Sequence, residues 1–100
     1  MYVVLFQARL GELDTDYETL AAQLRERAFE EFGCLDFVVM TEGDREIAIS
    51  YWKSLDDIKA WKADLLHQKA QATGRKRWYR SYKVEVLERI RGREFQREEA

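Results

Sequence analysis

Hydrophobic positions along this chain switch between two spacings, and the switching predicts a succession of strands and helices. Tyr2 to Leu10 is rich in Val, Leu and Phe and stops at Gly11, so it reads as a first strand, since β-branched and aromatic side chains suit a pleated surface. From Asp14 or Thr15, either a suitable N-cap, Tyr17, Leu20, Ala21, Leu24 and Ala28 recur at three and four residues with charges between them. That spacing predicts an amphipathic helix, closed by Phe32 and Gly33. Leu35 to Thr41 and Glu46 to Trp52 read as two further strands, joined by Glu42-Gly43-Asp44-Arg45 in an antiparallel hairpin. Ser54, followed by Asp56 and Asp57 in the first turn, caps a second helix with Leu55, Ile58, Trp61 and Leu65 on one stripe. Helical character continues to about Gly74, and an amphipathic turn, Arg75 to Arg80, leads into a fourth strand. There Tyr82, Val84, Val86 and Ile90 alternate with Lys83, Glu85 and Arg89.

The order βαββαβ predicts a ferredoxin-like α+β domain over residues 1–91, with a four-stranded antiparallel sheet and both helices on one face. Residues 92–100 form a charged tail, expected to be exposed, in which Phe95 is free to dock on a partner. The first strand is apolar on both sides, Val3 and Leu5 against Val4 and Phe6, and the next two strands resemble it. Helices cover only one of those sides. The other predicts a homodimer packed sheet to sheet, burying about 800 Å² or more per subunit.

Composition narrows the function classes. A chain of 100 residues holds one core, and its net charge of −2 gives no general attraction for nucleic acid. The run Gly74-Arg75-Lys76-Arg77-Trp78-Tyr79-Arg80 mixes bases with aromatics, but Arg45 to Trp52 lacks the glycine and spaced aromatics of an RNA-binding strand. The run therefore reads as a solvated helix face, with Arg75 placed to pair Asp57 or Asp64. No apolar stretch approaches the roughly 20 residues of a membrane span, and a lone cysteine, Cys34, predicts a cytoplasmic protein with a small buried thiol. One His and one Cys cannot supply the ligands of a zinc site, so no metal is expected.

The elements Ser50-Tyr51-Trp52-Lys53-Ser54-Leu55, Ile58-Lys59-Ala60-Trp61-Lys62, His67, Ala70-Gln71, Gly74-Arg75 and Trp78-Tyr79 resemble the antibiotic biosynthesis monooxygenase family of dimeric α/β barrels. Phe32-Gly33-Cys34-Leu35 matches that family only approximately, at a corner that commonly carries a proline. The resemblance implies a pocket between sheet and helices and oxygenation of a phenol or quinol without metal or flavin. Some relatives instead bind and cleave haem, using an asparagine on the first strand, a tryptophan on the second helix and a downstream histidine. Trp61 matches the tryptophan and His67 the histidine at a shorter spacing, while Ala8 stands at the asparagine position in a chain without asparagine.

His67 is the only side chain whose ordinary pKa lies near neutrality, so it suits removal of a phenolic proton or ligation of iron. On an unbroken helix its six-residue offset from Trp61 turns it about 120° away, beside Ala60, Ala63 and Ala70. A bend near Ala63 to Leu66 would bring both rings to one pocket. Trp61 itself fits either the core stripe or a wall stacking on a flat substrate. Phe6, Ala8 and Phe37 are the expected substrate-lining positions, whereas Trp52 and Trp78 are expected to seal edges. Three functions follow as expectations: a cofactor-independent oxygenase of a small aromatic or quinoid molecule, a haem-binding protein, or a non-catalytic dimer that binds a small hydrophobic ligand.

Overall fold

The computed structural model describes residues 1–98. Its elements are β1 (Tyr2–Leu10), α1 (Thr15–Phe32), β2 (Asp36–Glu42), β3 (Arg45–Trp52), α2 (Leu55–Ala63), α3 (Leu65–Thr73), a π-helical turn (Gly74–Trp78) and β4 (Tyr79–Glu88). The four strands form one antiparallel sheet in the order β2-β3-β1-β4, the expected ferredoxin-like α+β arrangement. Several boundaries differ from the sequence reading. Helical character does resume up to Thr73, but as two helices broken at Asp64, inside the bend considered at Ala63 to Leu66. β2 is shifted by one residue and β3 begins one residue earlier, and β4 runs from Tyr79 to Glu88 rather than from Tyr82 to Ile90.

Local chemistry sets the helix ends. Asp14 Oδ1 accepts the Tyr17 amide at 3.2 Å, and Ser54 Oγ accepts the Asp57 amide at 3.1 Å, so each cap satisfies a donor that the helix leaves free. Gly33 ends α1 at φ 78°, a left-handed conformation that costs other residues a Cβ clash, and the Cys34 amide closes back on Ala28 O at 2.9 Å.

Strand pairing sorts the sheet residues into two faces, because residues opposite each other share a face. The register Val4↔Ser50, Phe6↔Ala48 and Phe6↔Val84 puts Val4, Phe6, Ala8, Glu46, Ala48, Ser50, Trp52, Phe37 and Val84 on the helix side. The core there joins Val4, Ala28, Cys34, Trp52, Ile58 and Trp61, with Trp52 fully buried. Its indole N–H donates to Ser50 Oγ at 2.8 Å, which satisfies the one polar atom that the ring carries inward. The other face carries Val3, Leu5, Val38, Met40, Ile47, Ile49, Tyr51 and Leu87, with no helix over it. Met40 on that side is 71% exposed. Among the described residues no helix is long and apolar enough to cross a membrane.

Candidate functional site

Between the inner sheet face and the helices lies a cavity of about 180 Å³. Small side chains create it: Ala48 and Ser50 at the middle of β3 face Ala21 of α1 and Ala70 of α3 across the gap. An apolar cavity of about 150 Å³ accepts benzene, so this one belongs to the size class of a single aromatic ring. Phe6, Phe37, Trp61 and His67 line it, as the sequence led one to expect of a pocket. Ala8 is buried on the same sheet face but lies outside the lining.

The helix break explains how His67 arrives there. Asp64 takes φ −59° and ψ 136°, an extended conformation that ends α2 and starts α3 in a new direction. Arg27 of α1 fixes the corner by donating Nε to Asp64 Oδ2 at 3.1 Å and Nη2 to Oδ1 at 2.7 Å, a two-pronged ion pair. That pairing with the Arg27 guanidinium holds the Asp64 carboxyl below the usual carboxylate range. Arg75, the partner suggested by sequence, instead donates to the Tyr82 hydroxyl at 3.0 Å, because the π-helical turn carries it toward β4. The break rotates His67 back onto Trp61, so the 120° offset expected of a continuous helix disappears. Their ring centroids lie 4.5 Å apart in an edge-to-face contact, with Trp52 tilted against Trp61 at 5.0 Å and Phe37 edge-on to it at 6.1 Å.

Electrostatics favour the neutral imidazole. Burial pushes the His67 pKa below its ordinary value, and the charge of Lys62 adds to that, with Asp64 opposing. A neutral imidazole has one ring nitrogen free to take a proton. Nδ1 of His67 and Nε1 of Trp61 are both buried without a hydrogen-bond partner. Such atoms are rare in folded proteins, and both are enclosed by the packed rings rather than open to the cavity.

The cavity also has polar residues that the sequence reading passed over. Glu46 is 8% exposed and lines the cavity, and its Oε2 accepts a hydrogen bond from the Tyr17 hydroxyl. Tyr79 and Tyr82 line it too, although residues three apart on a regular strand face opposite ways. A bulge resolves this: Leu10 pairs with Tyr79 and Arg9 with Ser81, so Arg80 is the extra residue and both tyrosines turn inward. Their rings pack around Phe6 at 5.4 and 5.6 Å. Gly74 makes room for this, since a Cβ there would sit 2.4 Å from the Tyr79 ring. Trp78 is buried as expected, donates its indole N–H to Asp14 Oδ1 at 3.1 Å and adds to the cavity wall. The parity of β3 held the signal for Glu46: once Trp52 faces inward, so do Ser50, Ala48 and Glu46.

Cys34 is buried away from the lining, with Sγ 3.2 Å from the Asp36 carbonyl, and burial raises its pKa so that the thiol stays protonated. It packs as a small hydrophobe.

The antibiotic biosynthesis monooxygenase family model matches residues 1–73. Uncharacterised protein YqjZ of Bacillus subtilis (strain 168) is 38% identical over 96 residues, covering 95% of this chain and 84% of that protein. SnoaB, a cofactor-independent oxygenase from Streptomyces nogalater, superposes with a TM-score of 0.76 at 11% identity, over 91% of this chain and 94% of that one. Rv0793 from Mycobacterium tuberculosis does so with a TM-score of 0.74 at 13% identity, over 91% and 96%. At such identities the structural likeness speaks for the fold. The family match runs from β1 through the end of α3 and so takes in both Trp61 and His67: the chain belongs to the antibiotic biosynthesis monooxygenase family.

Proposed function

We propose that the protein is a small oxygenase whose substrate is a phenol or quinol of about one ring, bound in the cavity between sheet and helices. The observation that carries this reading is the edge-to-face pairing of His67, the only histidine, with Trp61, both lining one cavity. His67 is the general base: its depressed pKa keeps it neutral, and it takes the hydroxyl proton of the bound phenol. Trp61 is the wall against which the ring stacks, and Phe6 and Phe37 complete the apolar surround. The resulting phenolate is electron-rich enough to attack dioxygen from a ring carbon. One oxygen atom enters as a carbonyl, the other leaves as water, and the substrate gives up the electrons. Phenol plus O2 yields quinone plus water, so the balance calls for no separate reductant, in keeping with the cofactor-independent activity described for SnoaB.

Haem is a poorer occupant. An imidazole suits an iron, but a cavity of about 180 Å³ is sized for one ring rather than a tetrapyrrole. The apolar outer face of the sheet supports the homodimer as the working form, with a second copy covering Leu5, Ile49 and Met40.

Oxygen uptake with a hydroquinone probe tests the assignment. His67→Ala is expected to keep its circular dichroism spectrum and lose about 100-fold or more in turnover. Full turnover in that variant would remove His67 from the mechanism, and binding without oxygen uptake in the unmodified protein would make this a ligand-binding dimer instead.

A further inference from the structure

The cavity has a second polar group besides His67, contributed by the sheet. Trp61 sits over the end of the sheet where Trp52 and Phe37 pack, and Phe37 pairs with Ser50. Glu46 lies on β3 four residues from Ser50, with Ala48 between them. The sheet floor between them is apolar, while Arg25 and Lys62 also line the cavity.

Glu46 is an unusual residue to find in such a place. It is more than nine-tenths buried, and none of the ion pairs among the described residues includes it. A carboxylate without a cation in an apolar surround is costly, and a stable core gains nothing from it. Its one hydrogen bond comes from the Tyr17 hydroxyl to Oε2, and no protein donor among the described residues reaches Oε1. Burial first, and then the bond to Glu46, push the Tyr17 pKa far above the ordinary tyrosine value. Tyr17 therefore remains a protonated donor through the working pH range and donates to Glu46. Tyr17 is itself held in place: it is buried, with its ring 5.1 Å from Trp78 in an edge-to-face contact, at the capped first turn of α1.

We propose that Glu46, positioned by Tyr17, is the specificity-determining residue of the cavity, and that its Oε1 receives a hydrogen-bond donor on the ligand while repelling anionic groups. The ligand class is then a neutral quinol-type aromatic, with one hydroxyl at Glu46 besides the one that His67 deprotonates, and aromatic carboxylates are disfavoured at the Glu46 end although they match in size and shape. Glu46 reads the substrate; Tyr17 acts through it as a positioning residue. This rests on the cavity being the ligand site, as proposed above, but not on His67 being the base.

The test is equilibrium binding of two single-ring probes, phenol and benzoate, to the full chain. The unmodified protein is expected to prefer phenol by about 100-fold, the scale of a charge-assisted hydrogen bond set against like-charge repulsion. Glu46→Gln keeps the shape and a carbonyl to accept from Tyr17 but removes the charge, and it is expected to reduce that preference about tenfold or more. Tyr17→Phe should weaken phenol binding and narrow the preference by a smaller factor. Equal affinity for the two probes in the unmodified protein, or the same preference in Glu46→Gln, overturns the role of Glu46 even if oxygen uptake depends on His67. Failure of both probes to bind overturns it together with the cavity as the ligand site. Loss of oxygen uptake dependence on His67 with the preference intact overturns the base assignment alone.

Discussion

The two faces of the sheet come from the same strands and are both apolar, yet they differ in what interrupts the apolar surface. The inner face carries Glu46 and Ser50, and the helices add Tyr17 and His67 above it, so the buried polar side chains among the described residues gather on that side. The outer face is mostly aliphatic, with Tyr51 among its residues and with Gln7, Lys83 and Glu85 beside Ile47 and Leu5. Hydrophobic burial alone is indifferent to direction and suits association; chemistry needs groups whose desolvation is compensated only when a ligand arrives. On the proposed function the inner face serves the second task, through Ala48, Ala70 and the hollow between them, and the outer face the first.

Substitutions separate the two. Trp52→Ala, at the inner core, should cost about 3–5 kcal/mol by denaturant unfolding, because it removes the largest fully buried side chain. Ile49→Asp lies next to Trp52's neighbour Ser50 but points outward, and it should raise the dimer dissociation constant by about 100-fold or more while shifting subunit stability by only ~1 kcal/mol. Light scattering reads that result, and an unchanged dimer would place the association surface elsewhere. Gly74→Ala should cost about 1–3 kcal/mol by driving a methyl into the Tyr79 ring, with dimerisation untouched. The smallest effect is on acid stability. His67 has a folded pKa below its unfolded value of 6.5, so the unfolded chain binds more protons beneath that pH. Its contribution is complete above about 6.5 and is lost as pH falls toward the folded pKa, and His67→Gln should flatten that part of the stability profile.

Much of this was legible in the chain. Period and capping residues gave α1 and the hairpin of β2 and β3 to within a residue or so, since Asp14, Gly33, Gly43 and Ser54 act locally. The apolar character of both sides of β1 likewise pointed to an uncovered face. What could not be read are the two places where tertiary contacts override the local pattern. Asp64 breaks a helix that no proline or glycine interrupts, and the reason is Arg27, thirty-seven residues away. The bulge at Arg80 turns Tyr79 inward against the period-two alternation, and it depends on Gly74 clearing the space. Glu46 was missed because a charged residue beside a turn looks solvated until the strand's facing is known.

Because His67 is the only histidine, its ring resonances in a tag-free sample report directly on the candidate site. The most direct measurement is an NMR titration of that imidazole with pH, alone and with phenol present. The account predicts a midpoint below 6.5 in the free protein and a displacement of both ring nitrogen signals when phenol binds. A midpoint at or above 6.5, with signals indifferent to phenol, would contradict it.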